Sequence, residues 1–219
     1  MGRETAENQS GVNFLRTSYG RFVQNSTEDD KKAVERTNAN GKQVFERFYS
    51  ILSGYITNIE LKEDENPDFS DKWKITIDDG EEVNLLEIPY SGAATDGLLT
   101  RLPNADPTKL SRIRVGDYER EGKNPGTWLS LDQSDAEFPE KGVEWVNVPK
   151  AHDRENPNGM PPLKEVTVNK KKVWDSSEKM EFLTKVIAKY LKGLKGFEVP
   201  KKPAVQTVDV EEETDDLPF

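Results

Sequence analysis

The chain has 219 residues, a net charge of −10, one histidine and no cysteine, and only a third of its residues are hydrophobic. That length holds one domain of ordinary size plus tails, and the inventory excludes thiolate zinc sites, disulfides, cysteine nucleophiles and multi-histidine metal centres. No signal peptide and no apolar run of membrane length is present, so a soluble, intracellular protein without membrane contact is expected.

The negative charge is unevenly spread. Residues Asp209 to Phe219 carry six acids and no base, and Glu60 to Glu87 carry eleven acids against three lysines. Outside these two blocks the chain is mildly basic, and local potential decides whether a groove attracts phosphate.

Residues 1–11 are polar and aperiodic, which predicts a disordered start. Two short strands, Val12 to Arg16 and Arg21 to Gln24, flank a glycine-assisted turn at Tyr19-Gly20. After a polar connection from Asn25 to Gly41, one long strand is expected from Gln43 to Leu61, bending at Gly54 through a barrel wall. Trp73 to Ile77 and Val83 to Ile88 read as a β-hairpin around Asp78-Asp79-Gly80. Ser91 to Leu102 reads as a loop leading into a short helix. Leu110 to Tyr118 and Thr127 to Leu131 form a second hairpin, and Val143 to Val148 and Glu165 to Trp174 are expected as further strands. Asp175 and Glu178 have capping-box spacing before an amphipathic helix carrying Met180, Leu183, Ile187, Leu191 and Leu194. Residues 197–219 are expected to form a disordered linker and an acidic tail, leaving 12–196 as the folded domain.

The chain is therefore expected to be mainly β with added helices. Strand, strand, strand, helix, strand, strand is the order of a five-stranded OB-fold barrel, here with extra strands and a C-terminal amphipathic helix. Small β-sandwiches and SH3-like barrels share much of this pattern.

A barrel that holds single strands stacks bases on aromatic faces while basic side chains follow the backbone. Candidates with that chemistry are Arg16, Tyr19, Arg21 and Phe22 around the first turn, and Tyr49 on the long strand expected from Gln43 to Leu61. Lys72, Trp73 and Lys74 form a basic–aromatic triplet. Arg112, Arg114, Tyr118, Arg120, Lys123 and Trp128 belong to the second hairpin. Trp73 shares the parity of Ile75 and Ile77, which equally suits a core position. Arg112 and Arg114 alternate with Ile113 and Val115, so both arginines are expected to reach solvent together. No phosphate-binding glycine loop, paired-carboxylate motif or metal-ligand spacing occurs, so neither catalysis, a metal nor a cofactor is expected.

The chain ends in Asp215-Asp216-Leu217-Pro218-Phe219, an apolar hook after an acidic run. Phe219 and Leu217 suit a small apolar pocket, while Asp215, Asp216 and the terminal carboxylate suit basic residues at its rim. This peptide resembles the C-terminal tip of bacterial and phage single-stranded DNA-binding proteins. Asn13 to Tyr90 is also similar to such proteins of tailed phages, in Tyr19-Gly20-Arg21-Phe22-Val23, Gly41-Lys42, Phe48 to Ile56 and Trp73 to Asp79. The first-strand motif of the bacterial type is missing. The resemblance implies sequence-independent binding of single-stranded DNA in phage replication, recombination and repair, in the cytoplasm of a bacterial host. It also implies that the tip recruits a polymerase, a helicase–primase or a recombinase. Two alternatives stay open from the residues: an adaptor that docks on host replication proteins without touching DNA, and an RNA-binding barrel. The oligomeric state is not specified.

Overall fold

The computed structural model describes residues 12–38, 40–64, 70–153, 155, 157–168 and 171–202. Residues 1–11 and the terminal peptide Asp215 to Phe219 lie outside them. Strands β1 (Val12–Ser18) and β2 (Arg21–Ser26) pair antiparallel. Tyr19 and Gly20 make the turn at φ 45° and 70°, a left-handed conformation in which glycine carries no Cβ penalty. The following polar connection contains a short edge strand, β3 (Val34–Thr37), paired with β4 (Gln43–Tyr49).

The long strand expected from Gln43 to Leu61 is two strands. β4 ends before Ser50, and β5 (Ile51–Lys62) begins after it. Gly54, where a bend was expected, lies within β5 at φ 154°, and a Cβ there would meet the Asp78 carbonyl oxygen at 2.8 Å. The two halves of β5 therefore serve different neighbours. Residues 55–62 pair with β6 (Lys72–Asp78), and residues 51–54 pair with β8 (Leu110–Tyr118). β6 continues into β7 (Val83–Pro89), followed by α1 (Ala93–Leu99) and a 3₁₀ turn at Leu102–Asn104. β8 pairs in turn with β9 (Gly126–Ser134), and β9 with the two-residue β10 (Val146–Asn147).

Ten strands thus form one mixed sheet in the order β10-β9-β8-β5-β6-β7-β1-β2-β4-β3, with β1 parallel to β7. Among the described residues no closed barrel is found. The expected strand over Glu165 to Trp174 is a separate two-stranded hairpin, β11 (Lys164–Val168) and β12 (Lys171–Asp175).

Alternation places Trp73, Ile75 and Ile77 of β6 with Leu86 and Ile88 of β7 inside the main core. Burying each such side chain stabilises by about 1.5–3 kcal/mol. Ile56 and Ile59 of β5 are both buried although three residues apart, because a bulge between Ile56 and Asn58 shifts the parity. Helix α2 (Ser177–Lys192) inserts Met180, Leu183, Ile187 and Tyr190 into the same core. Burial pushes the Tyr190 phenol up. The expected capping box does not form: Asp175 accepts from the Ser177 backbone NH at 2.9 Å, and Glu178 pairs instead with Lys164. Lys179, itself buried, ties α2 to α1 through Asp96 at 2.6 Å.

Residues 197–202 were expected in the linker, yet they lie along the domain. The Phe197 ring is 5.3 Å from that of Tyr55, and Lys202 pairs with Glu81 at 3.2 Å. Among the described residues, no helix is long and apolar enough to cross a membrane.

Candidate nucleic-acid interface

The β8–β9 hairpin has two chemically distinct faces. Ile113, Val115, Leu129 and Leu131 point inward and are buried. The outward positions pair across the strands as Arg112 with Asp132, Arg114 with Ser130, Gly116 with Trp128 and Tyr118 with Gly126. Each aromatic residue therefore faces a glycine. A Cβ at Gly116 would stand 2.3 Å from the Trp128 ring, and one at Gly126 would stand 2.2 Å from the Tyr118 ring. Both rings lie against the partner strand in the space a side chain would need. The indole is further fixed by its Nε1, which donates to the Asp117 carbonyl at 3.1 Å. Their other surfaces remain open, Tyr118 being 43% and Trp128 37% exposed. The two pairs are adjacent outward register positions, roughly 7 Å apart along the strand.

Asp132 organises the basic half of this face. It is 1% exposed, accepts from Arg112 Nε at 3.0 Å and Nη2 at 2.8 Å, and accepts from Arg114 Nη2 at 3.1 Å and Asn147 Nδ2 at 3.0 Å. Burial by itself would push this carboxyl up, but hydrogen bonds from Asn147, Arg112 and Arg114 outweigh it and hold the group below the usual carboxylate range. Arg112 also lies over the Trp145 ring, 4.6 Å from its centroid. One carboxylate faces two guanidiniums, so the arrangement stays positive.

A groove of about 540 Å³ runs between this face and α1, lined by Gly97, Arg101, Arg114, Tyr118, Trp128 and Lys150. Its depth follows from Gly97, where a Cβ would be 2.3 Å from the Leu129 carbonyl oxygen, so only glycine lets α1 approach β9 this closely. Arg101 Nη1 donates to the Gly97 carbonyl at 2.9 Å. Burial lowers the Arg101 pKa, with Asp132 opposing that shift and Arg114 adding to it. Arg101, Asn147 and Lys150 were not identified from sequence. They come from loops and a two-residue strand, where no periodicity marks a side chain's direction.

The other predicted contacts divide into three groups. Arg120 and Lys123 are exposed in the β8–β9 loop, where the Lys123 NH donates to the Arg120 carbonyl at 3.1 Å. Tyr19, 61% exposed, stands beside this hairpin: the Gly20 NH donates to Thr127 Oγ1 at 3.2 Å, and Asn124 Nδ2 is 3.5 Å from the Tyr19 hydroxyl. By strand alternation Thr127 points away from the Trp128 face, so Tyr19 approaches from the opposite side.

A second group is occupied elsewhere. Arg16 pairs with the buried Glu46 at 2.5 Å, and Arg21 lies over the Phe48 ring at 5.4 Å. The Tyr49 hydroxyl donates to Gln24 Oε1 at 2.8 Å. Lys72 and Lys74 meet Glu87 and Glu60 at 3.4 and 3.6 Å.

Phe22 and Trp73 require correction, because neither offers a face on which a base can stack. Phe22 is 0% exposed in the core. Trp73 is 2% exposed, stacked on Tyr90 at 6.3 Å, with Nε1 donating to the Tyr90 carbonyl at 2.9 Å.

The single histidine is structural: His152 is buried edge-on against Phe182, and its Nδ1 donates to the Pro157 carbonyl at 3.0 Å. Among the described residues no group of three or more His, Asp or Glu side chains is placed to hold a metal ion. Compared with known proteins, the chain matches no family model, no curated protein and no solved structure.

Proposed function

We propose that the protein binds single-stranded DNA without reading its sequence, using the outer face of the β8–β9 hairpin. The observation that carries this reading is the pair of open rings, Tyr118 and Trp128, each seated on a glycine and followed on the same face by Arg114 and Arg112. Stacking on an aromatic side chain is worth about 1–3 kcal/mol per base and tolerates any base. Arginines adjacent to the rings meet the phosphates of the stacked nucleotides, which makes binding salt-dependent. A duplex keeps its base faces stacked on one another and leaves these rings unused.

The OB-fold assignment belongs to the same reading. Taken in chain order, β5, β6, β7, α1, β8 and β9 follow the OB sequence of elements, and their spatial order β9-β8-β5-β6-β7 is that of an OB barrel opened at one seam. At that seam α1 lies against both β7 and β9. Arg120 and Lys123 then occupy the loop between the fourth and fifth strands, one of the loops with which OB-folds bind oligonucleotides.

The terminal peptide, through its resemblance to the tip of single-stranded DNA-binding proteins, assigns Asp215, Asp216, Leu217, Pro218 and Phe219 to the recruitment of replication and recombination proteins. A phage protein acting in the host cytoplasm fits both halves of the reading, and no catalytic step is required.

Titration with unstructured oligo-dT at two salt concentrations, following tryptophan fluorescence, tests it. Salt-sensitive quenching by the single strand but not by a matched duplex is expected. An RNA oligomer of equal length sets the preference for sugar. Absence of binding by both the full chain and a chain lacking residues 209–219 would overturn the proposal in favour of an adaptor.

A further inference from the structure

The floor of the groove holds polar atoms that the fold leaves unused. Arg101 Nε, Arg114 Nε and Ser130 Oγ are all buried and make no hydrogen bond among the described residues. Arg114 Nε is 2.9 Å from Asp132 Oδ2, but not aligned for a hydrogen bond. All three side chains line the one groove that also carries Tyr118, Trp128 and Lys150. A buried polar atom without a partner costs about 1–3 kcal/mol, so Arg101 Nε and Ser130 Oγ, together in one groove, call for an external hydrogen-bond partner.

The charge points the same way. Arg101, Arg114 and Lys150 line the groove, the Asp132 carboxylate beside them is already shared by Arg112, Arg114 and Asn147, and Asp96 is engaged by Lys179 at 2.6 Å. Arg101 and Arg114 bring like charge to the same groove, and Arg101 is held in place by its bond to the Gly97 carbonyl. A small anion with several acceptor oxygens offsets that concentration of positive charge.

We propose that this floor is a built subsite for one phosphodiester of the bound strand, gripped by Arg101, Arg114 and Ser130 Oγ, with Lys150 at its mouth and the flanking base on Trp128. This inference rests on the single-strand reading above and adds to it a fixed phosphate position. A strand held there is anchored at one point, while the remaining phosphates make only exposed, exchangeable contacts.

Ser130→Ala separates function from structure. Losing a buried hydroxyl that has no partner leaves the melting temperature unchanged or raises it, yet weakens oligo-dT binding roughly two- to tenfold. Arg101→Gln weakens it roughly tenfold and makes the slope of log K against log salt shallower by about 0.7, one phosphate's share for a single strand. Lys185→Gln, on the exposed side of α2, serves as the control and leaves both quantities unchanged. Inorganic phosphate alone is titrated in parallel, since it presents the same oxygens. Wild-type affinity for oligo-dT with unchanged binding in both groove variants would overturn the subsite and leave the single-strand reading standing. A response to inorganic phosphate that Arg101→Gln abolishes, without oligo-dT binding, would overturn the single-strand reading and the strand as the phosphate's source.

Discussion

Trp128 lies against Gly116 so closely that a Cβ on residue 116 would come within 2.3 Å of the indole Cζ2. The glycine is a seat for the ring. It allows a large aromatic side chain to lie flat on its own sheet with one surface satisfied and the other open, which is the geometry a stacking platform needs.

Gly116→Ala therefore displaces the indole. The expected outcome is a shift in tryptophan emission toward that of a solvated ring, with oligo-dT affinity reduced about tenfold through the lost stack. Overpacking adds a stability loss of about 1–3 kcal/mol, measurable by urea denaturation. An unchanged emission spectrum would show that the ring does not rest on residue 116.

Two tryptophans with similar basic neighbourhoods should respond oppositely to alanine. Trp128→Ala removes a half-open ring, so affinity falls roughly 5- to 100-fold while stability changes little. Trp73→Ala empties a core position that is 2% exposed and destabilises by about 3–5 kcal/mol. Denaturation and binding curves on both variants check the contrast, and equal stability losses would contradict it.

Asp132 makes stability fall in acid. Its folded pKa lies below the unfolded value of about 3.9, so its contribution is complete above that value and is lost as pH drops through the folded one. Asp132→Asn should cost about 3 kcal/mol at neutral pH by leaving two guanidiniums without their carboxylate. It should also flatten the decline in stability below about pH 4. The flattening is partial, because the Arg36 and Arg16 guanidiniums hold Glu46 below its usual range as well. Chemical denaturation of both proteins between pH 3 and 7 reports the difference.

Gly54 is the point at which β5 leaves one neighbour for another. Gly54→Ala puts a Cβ 2.8 Å from both the Asp78 carbonyl oxygen and Ile77 Cγ2, at a φ of 154° that side chains rarely adopt. A loss of at least about 2 kcal/mol is expected, larger than for alanine at an open turn glycine such as Gly122. Matched melting curves of the two variants make the comparison.

Deleting residues 209–219 removes six acids and no base. If the acidic peptide competes with DNA for the basic groove, the truncated chain binds oligo-dT more tightly at low salt, and the gain fades as salt rises. The same deletion abolishes capture of a replication partner. Equal or weaker DNA affinity after truncation would exclude the competition.

Local pattern was enough to locate the hairpin that carries the candidate interface. Alternation of Arg112 and Arg114 with Ile113 and Val115 is a property of any half-buried strand. It placed both arginines on one face with Tyr118, and Trp128 on the returning strand, before any neighbour was known. The same alternation leaves Trp73 undecided, because a basic–aromatic–basic triplet reads alike whether its aromatic side meets water or another layer. Burial depends on what covers the strand.

Tertiary structure alone decided the rest. The bulge between Ile56 and Asn58 reversed the parity that sequence assigns to the end of β5. Arg101, Asn147 and Lys150 reach the groove from segments that carry no period, brought there by the seating of α1 on β9 and by the pairing of β10. Asp132, an ordinary acid in a polar stretch, became the buried hub of that face because strand pairing set it opposite Arg112 and the β9–β10 register brought Asn147 beside it. The period of a strand is local and is written in neighbouring residues. The charge and depth of a groove arise between residues far apart in the chain, and only long-range packing brings them together.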